Sequence, residues 1–211
     1  MAESDEQNLV YLLDGKIYIN LTNKCTANCV FCIRSLKDDV CGANLRLKNE
    51  NFGAQEVIDQ LKKLVKNERE IIFCGYGEPT LKLDILKEVA NFLKTSYNNV
   101  KLRINTNGHA NCVYKRNIIP ELKGLIDEIS VSLNASNKEQ YEELTQPKLP
   151  CENPFEEVKD FIKKSVEEGI ETTVTVVNGY KNHKIDLNAC EKIAQDLGAN
   201  FRVRQWLDEG Y

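Results

Sequence analysis

Three cysteines, Cys25, Cys29 and Cys32, stand within eight residues in the pattern C-x3-C-x2-C. Thiols this close are metal ligands before anything else, because the thiolate is a soft donor suited to zinc or iron. Structural zinc takes four ligands. The two histidines, His109 and His183, are distant in sequence, so Cys41 would have to complete such a set. A catalytic zinc held by three thiolates alone would be unusual. A cubane iron–sulfur cluster takes four thiolates when fully ligated, so three leave one iron free for another ligand. That free corner separates a reactive cluster from an electron carrier. On ligand counting, both metals remain open.

Further candidates follow at intervals. Cys74-Gly75-Tyr76-Gly77-Glu78-Pro79-Thr80 combines glycines, which let backbone approach a ligand, with a carboxylate able to accept hydrogen bonds from an ammonium group. Taken alone it also reads as a Gly-Pro turn opening a helix. Asn105-Thr106-Asn107-Gly108 and Ser132-Leu133-Asn134-Ala135 end apolar runs with polar residues, which also suit turns and helix caps. Cys41 lies in a Gly-containing loop soon after the cluster of thiols, where it could reach a substrate or donate hydrogen. Cys74, Cys112, Cys151 and Cys190 show no ligand spacing and read as apolar filler.

These residues need elements to hold them. Strand-like runs at 17–21, 70–74, 100–106, 128–134, 172–177 and 201–205 alternate with helical periodicity around Val57, Ile85, Phe155 and Ile193. Six strands separated by helix-length crossovers predict parallel βα units in one sheet, with the thiols at the carboxyl end of the first strand. Within strands the two faces differ. Ile129, Val131 and Leu133 oppose Ser130, Ser132 and Asn134; Leu102 and Ile104 oppose Arg103 and Asn105; Phe201 and Val203 oppose Arg202 and Arg204. A sheet covered on both faces would show continuous apolar runs. A sheet with one face in solvent would alternate too, but the helix count favours a curved, incomplete α/β barrel, a partial TIM-like (β/α)6 arrangement of parallel strands around a polar concavity. Arg103, Arg202 and Arg204 should point into it and require anions there.

Composition narrows the class. The chain has 211 residues, 42% hydrophobic, and a net charge of −4. That suits one domain over 1–211 and disfavours a nucleic-acid binder with a broad basic surface. No apolar run approaches the roughly 20 residues of a membrane span. The acidic opening MAESDEQNLV lacks signal-peptide order, so a cytoplasmic location is expected. The chain stops soon after the sixth strand, so no cysteine-rich extension for auxiliary clusters is expected.

With its aromatic residue Phe31 before the third cysteine, the thiol motif resembles the signature of the radical S-adenosylmethionine (radical SAM) superfamily. FCGYGEPTL resembles that family's glycine–glycine–glutamate element, with Tyr76 separating the two glycines. RINTNGHAN, ISVSLNA and FRVRQW are similar to later strand ends, and the closest likeness is to the TatD-associated radical SAM proteins. The resemblance implies a [4Fe–4S] cluster on Cys25, Cys29 and Cys32 whose fourth iron binds S-adenosyl-L-methionine (SAM), and reductive cleavage of SAM followed by hydrogen-atom abstraction from a substrate. It implies that Gly77, Glu78 and Pro79 form the element holding the SAM amino group. Ser132 and Asn134 would lie near ribose or carboxylate, with Thr106 and Asn107 on the same rim. Phe31, Ile33, Val176 and Val177 would lie near adenine. Arg202 and Arg204 would face the SAM carboxylate or a small anionic substrate. An electron donor such as flavodoxin or ferredoxin is expected. The other functions in view are an activase installing a glycyl radical on a protein partner and a non-enzymatic zinc or electron-transfer protein.

Overall fold

The structure, a computed structural model, describes residues 7–40, 42–66 and 69–206. The chain opens with β1 (Val10–Leu13) and β2 (Lys16–Ile19), then a long irregular segment broken by a small ribbon of β3 (Asp39–Val40) and β4 (Ala43–Asn44). Alternation follows: α1 (Ala54–Leu64), β5 (Glu70–Phe73), α2 (Leu83–Ser96), β6 (Lys101–Thr106), then short α3 (Ala110–Tyr114) and α4 (Ile119–Leu122). The remainder is β7 (Glu128–Ser132), α5 (Lys138–Thr145), α6 (Pro154–Glu167), β8 (Glu171–Asn178), α7 (Leu187–Asp196) and β9 (Asn200–Gln205). The main sheet runs β1-β2-β5-β6-β7-β8-β9, parallel from β2 onward, and its outer strands do not meet. It is the open, partial barrel that the strand pattern predicts.

One strand departs from that pattern. β1 pairs antiparallel with β2 through Asp14-Gly15, both at positive φ (50° and 71°). Asp-Gly between two apolar runs is a strong hairpin signal, because such a turn needs positive φ at both central positions. The hairpin places one antiparallel edge strand, β1, outside the six parallel ones.

The two faces of the sheet are chemically distinct. Ile17, Ile71, Phe73, Leu102, Ile104 and Ile129 join Leu61, Leu86, Val89 and Phe161 from the helices in one apolar cluster. Each such side chain contributes about 1.5–3 kcal/mol by leaving water. The opposite face is layered by register. Tyr18, Ile72, Arg103 and Glu128 lie side by side, then Asn105, Ser130 and Thr173, then Ser132, Thr175 and Arg202. Of these, Tyr18, Arg103, Asn105, Ser130, Ser132, Thr175 and Arg202 line the concavity.

Gly77 shows why the loop after β5 cannot carry a side chain there. A Cβ at Gly77 would lie 2.3 Å from the carbonyl oxygens of both Thr22 and Lys24. Those are main-chain atoms of the segment leading into the thiol loop, so they cannot swing aside. Gly77→Ala should destabilise the fold by about 2 kcal/mol or more through overpacking. Gly53→Ala, whose Cβ would make only an ordinary 3.5 Å contact with Glu56, should cost about 1 kcal/mol or less. Denaturant midpoints of the two variants check this, and equal shifts would contradict it.

Candidate active site

The thiol loop has little regular structure of its own and is held from outside. On one side the N–H of Gly77 donates to Thr22 O (2.8 Å) and that of Glu78 to Lys24 O (2.8 Å). On the other, the last residues of α5 and the start of the connection to α6 receive it, with an antiparallel bridge between Ala27 and Pro147. Asn28 N donates to Thr145 O (2.9 Å), Val30 N to Leu144 O (3.0 Å), and Lys148 N to Thr26 O (2.7 Å). Arg34 ties the loop internally. Its Nη1 donates to Asn23 O (3.0 Å), Nη2 to Ala27 O (3.2 Å), and Nε to Cys32 Sγ (3.3 Å).

Cys25, Cys29 and Cys32 all face one cavity of about 510 Å³. Burial raises the Cys25 thiol, and burial together with Cys32 and Cys25 pushes Cys29 up to about 12. Such thiols stay protonated until a metal displaces the proton. Among the described residues no three His, Cys, Asp or Glu side chains converge as ligands of one ion would. Around tetrahedral zinc, sulfurs would stand about 3.8 Å apart, given Zn–S bonds near 2.3 Å. Three half-buried thiols on one rim are also the soft donor set that an iron–sulfur cluster takes. Cys41 lies outside the described residues.

Glu78 is buried at the cavity wall, and its carboxylate is a junction. Oε1 accepts from Thr80 N (3.2 Å), Thr80 Oγ1 (2.7 Å) and Thr106 Oγ1 (2.7 Å), while Oε2 accepts from Asn107 N (2.8 Å). Burial raises its pKa, and the bonds from Asn107, Thr80 and Thr106 oppose that rise. Oε1 is saturated; Oε2 retains room for one more donor. Pro79 is buried at the start of the 3-10 turn behind Glu78 and does not line the cavity. Tyr76, the residue interrupting the glycine pair, packs with Tyr11, Val40 and Leu45 and holds the β3–β4 ribbon over the site.

Other expected residues divide by position. Phe31, Ile33, Gly77, Thr106, Asn107, Ser132, Asn134, Val177, Arg202 and Arg204 all line the cavity. Val176 does not; it is buried on the opposite face of β8, as strand alternation requires. Asn134, at φ 60°, uses its Oδ1 to accept from Val177 N (3.2 Å) and so ties β7 to β8. Arg103 corrects the expectation that all three arginines await an external anion. Its Nη1 stands 3.0 Å from Glu70 and 3.8 Å from Glu128, so protein carboxylates already neutralise it. Cys74, read from the sequence as apolar filler, lines the cavity as well.

Sequence reading missed a polar relay behind the thiols. Asn107 Nδ2 donates to Thr26 Oγ1 (2.9 Å) and approaches Cys25 Sγ (3.6 Å). Thr26 Oγ1 meets His109 Nδ1 (2.9 Å), and His109 Nε2 meets Tyr141 Oη (2.6 Å). The imidazole thus bridges Thr26 and Tyr141 through its two ring nitrogens. An aromatic wall of Phe31, Tyr180 and Trp206 was missed as well, with ring centroids 6.0 and 5.0 Å apart along the series. Tyr180 and Trp206 follow strand ends, where alternation no longer tells which way a side chain points.

Comparison with known proteins gives concordant results. Residues 19–190 match the Radical SAM superfamily family model. A probable GTP 3',8-cyclase of Methanocaldococcus jannaschii is 24% identical over 191 residues, 90% of this chain and 58% of that protein. An uncharacterised protein of the same organism is 30% identical over 128 residues, 60% of this chain and 37% of that one. The chain thus spans well under two thirds of these relatives. Among solved structures, Streptococcus suis SuiB bound to S-adenosylmethionine superposes with TM-score 0.64 at 18% identity, covering 90% of this chain and 40% of SuiB. A radical SAM methyltransferase from Sphaerobacter thermophilus gives 0.55 at 14%, covering 96% and 71%. At these identities the structures show a shared fold.

The buried relay has a pH signature. Burial depresses His109 to about 4, against about 6.5 in an unfolded chain. Between those values the unfolded chain takes up a proton that the folded one refuses. Stability from neutral His109 is therefore complete above pH 6.5 and falls by about 3 kcal/mol as pH drops to 4. Denaturation midpoints across this range should fall more steeply for the native sequence than for His109→Gln; parallel slopes would contradict the assignment.

Proposed function

The chain belongs to the radical SAM superfamily, and on that premise we propose that it is a SAM-cleaving enzyme acting on a small anionic substrate. The observation that carries the reading is the meeting of three half-buried thiols and the buried Glu78 carboxylate on one cavity at the carboxyl ends of parallel strands. Cys25, Cys29 and Cys32 would hold a [4Fe–4S] cluster, and SAM would occupy the cavity beside it. When bound, these cofactors supply one-electron cleavage of the sulfonium to methionine and a 5′-deoxyadenosyl radical that takes a hydrogen atom from substrate.

The protein's own residues bind and orient. Glu78 Oε2 receives the ammonium of SAM in a charge-assisted hydrogen bond. Thr106 and the Asn107 N–H fix that carboxylate in place through their bonds to it. Ser132 lies by ribose or carboxylate, and Phe31, Ile33 and Val177 pack around adenine and keep water away. Asn134 acts at one remove, by fixing Val177. Arg34 holds the thiol loop and donates to Cys32 Sγ, which stabilises negative charge on that sulfur. Arg202 and Arg204 attract the substrate's anion. The reductant is a small electron carrier of the flavodoxin or ferredoxin type.

Anaerobic reconstitution with iron and sulfide, then SAM and dithionite, should release 5′-deoxyadenosine and methionine. Cys29→Ala should abolish the release, and Glu78→Gln should raise the SAM dissociation constant about tenfold, the loss of one charge-assisted hydrogen bond. Zinc in the purified protein, or iron bound with no SAM cleavage, would overturn the reading. Arg34→Gln should lower the iron and sulfide retained per chain after desalting, while Arg34→Lys retains an intermediate amount; retention equal to the native protein would remove Arg34 from this role.

A further inference from the structure

Asn107 reaches both anionic groups of the site. Its main-chain N–H donates to Glu78 Oε2 (2.8 Å), and its side-chain Nδ2 stands 3.6 Å from Cys25 Sγ. The orientation of that amide is fixed by what it accepts. His109 N donates to Oδ1 (3.0 Å), and a main-chain N–H can bond only to the oxygen end, so the NH2 end faces the thiol loop. One of its hydrogens goes to Thr26 Oγ1 (2.9 Å), which leaves the second for Cys25. Among the described residues no other asparagine side chain donates to Cys25, Cys29 or Cys32.

This placement answers an electrostatic problem. A metal cluster takes the thiolate form of Cys25, so two negative groups come to share one corner of the cavity. Burial raises the Cys25 thiol, and the Glu78 charge raises it further. Donors set between the two groups offset that repulsion. Ala27 N supplies one to the sulfur (3.5 Å), and Asn107 supplies one to each group. A turn at Asn107-Gly108 needs only the bond from His109 N to a side-chain oxygen, which a serine would also accept. The NH2 end is therefore beyond what the turn requires.

Hydrogen bonds to the sulfurs of an iron–sulfur cluster raise its reduction potential, because the added electron increases the negative charge that the donors stabilise. We infer that Asn107 is a positioning residue for electron transfer: its Nδ2, donating to Cys25, raises the potential of the cluster held there, while its N–H holds the carboxylate assigned to the SAM ammonium. The inference rests on the cluster reading and adds the residue that ties the cluster ligand to the SAM ligand.

Potentiometric titration of the reconstituted protein, followed by electron paramagnetic resonance of the reduced cluster, tests it. Asn107→Ser keeps an oxygen for His109 N, adds no charge and is too short to reach Cys25. It should lower the ratio of reduced to oxidised cluster at a fixed potential about threefold, the loss of one hydrogen bond. Thr26→Val cuts the same polar relay but leaves Nδ2 on the sulfur, so its ratio should stay near the native one. An unchanged ratio in Asn107→Ser, or an equal fall in Thr26→Val, would overturn the inference. If Asn107→Ser retains no cluster, the native protein still decides. With asparagine isotopically labelled at its side-chain nitrogen, pulsed measurement should resolve a nitrogen coupling to the reduced cluster, and its absence would overturn the assignment. A native protein that binds no iron would fail at the cluster reading itself, before any potential is measured, and both would fall.

Discussion

An irregular loop carrying three thiols can present them in a fixed arrangement only if its main chain is bound from both sides. Here Gly77 and Glu78 hold one edge, and the end of α5 with the residues that follow it holds the other. The bond from Gly77 requires a main-chain approach so close that no Cβ fits. The resemblance assigns the glycine element to ligand approach. The structure gives Gly77 a different and nearer duty, the packing of one backbone against another. Glu78 then joins that contact to the 3-10 turn at Thr80 and to the end of β6 through four accepted hydrogen bonds. Loop position, carboxylate position and strand ends are therefore one mechanical unit.

The sheet supports this unit by keeping its two faces chemically apart. The apolar face packs under helices and supplies most of the hydrophobic stabilisation. The polar face is free to vary because the fold does not need it dry. Charge on that face is graded with depth. Arg103 in the lowest layer is neutralised by Glu70 and Glu128, while Arg202, higher up, donates to a serine hydroxyl and joins no salt bridge among the described residues. A deep cation paired within the protein is structural. A shallower one without a carboxylate is available to a ligand.

Much of this was legible in the sequence, for reasons that differ by element. β6, β7 and β9 could be read with their faces because apolar and polar residues strictly alternate there, as in Leu102-Arg103-Ile104-Asn105. The thiol spacing and Gly77-Glu78 were legible because both are local. What escaped depends on contacts between distant segments. Asp14-Gly15 carried the β1–β2 hairpin signal, but β1 is a short edge strand, masked by the expectation of parallel units. Arg103's partners, Glu70 and Glu128, come from two other strands, so the pairing appears only once the register is fixed. The relay from Thr26 through His109 to Tyr141 joins three separate segments, and His109 reads in isolation as a lone histidine after a turn. Val176 and Val177 are adjacent, and only the register of β8 decides which enters the cavity.

The central claim is that the three thiols hold a cluster with one iron open to SAM. Electron paramagnetic resonance of the reduced, reconstituted protein, recorded before and after adding SAM, tests it most directly. A spectrum of a reduced [4Fe–4S] cluster whose g values shift on SAM addition is the predicted result. A spectrum unmoved by saturating SAM, or a protein that binds no iron at Cys25, Cys29 and Cys32, would contradict the account.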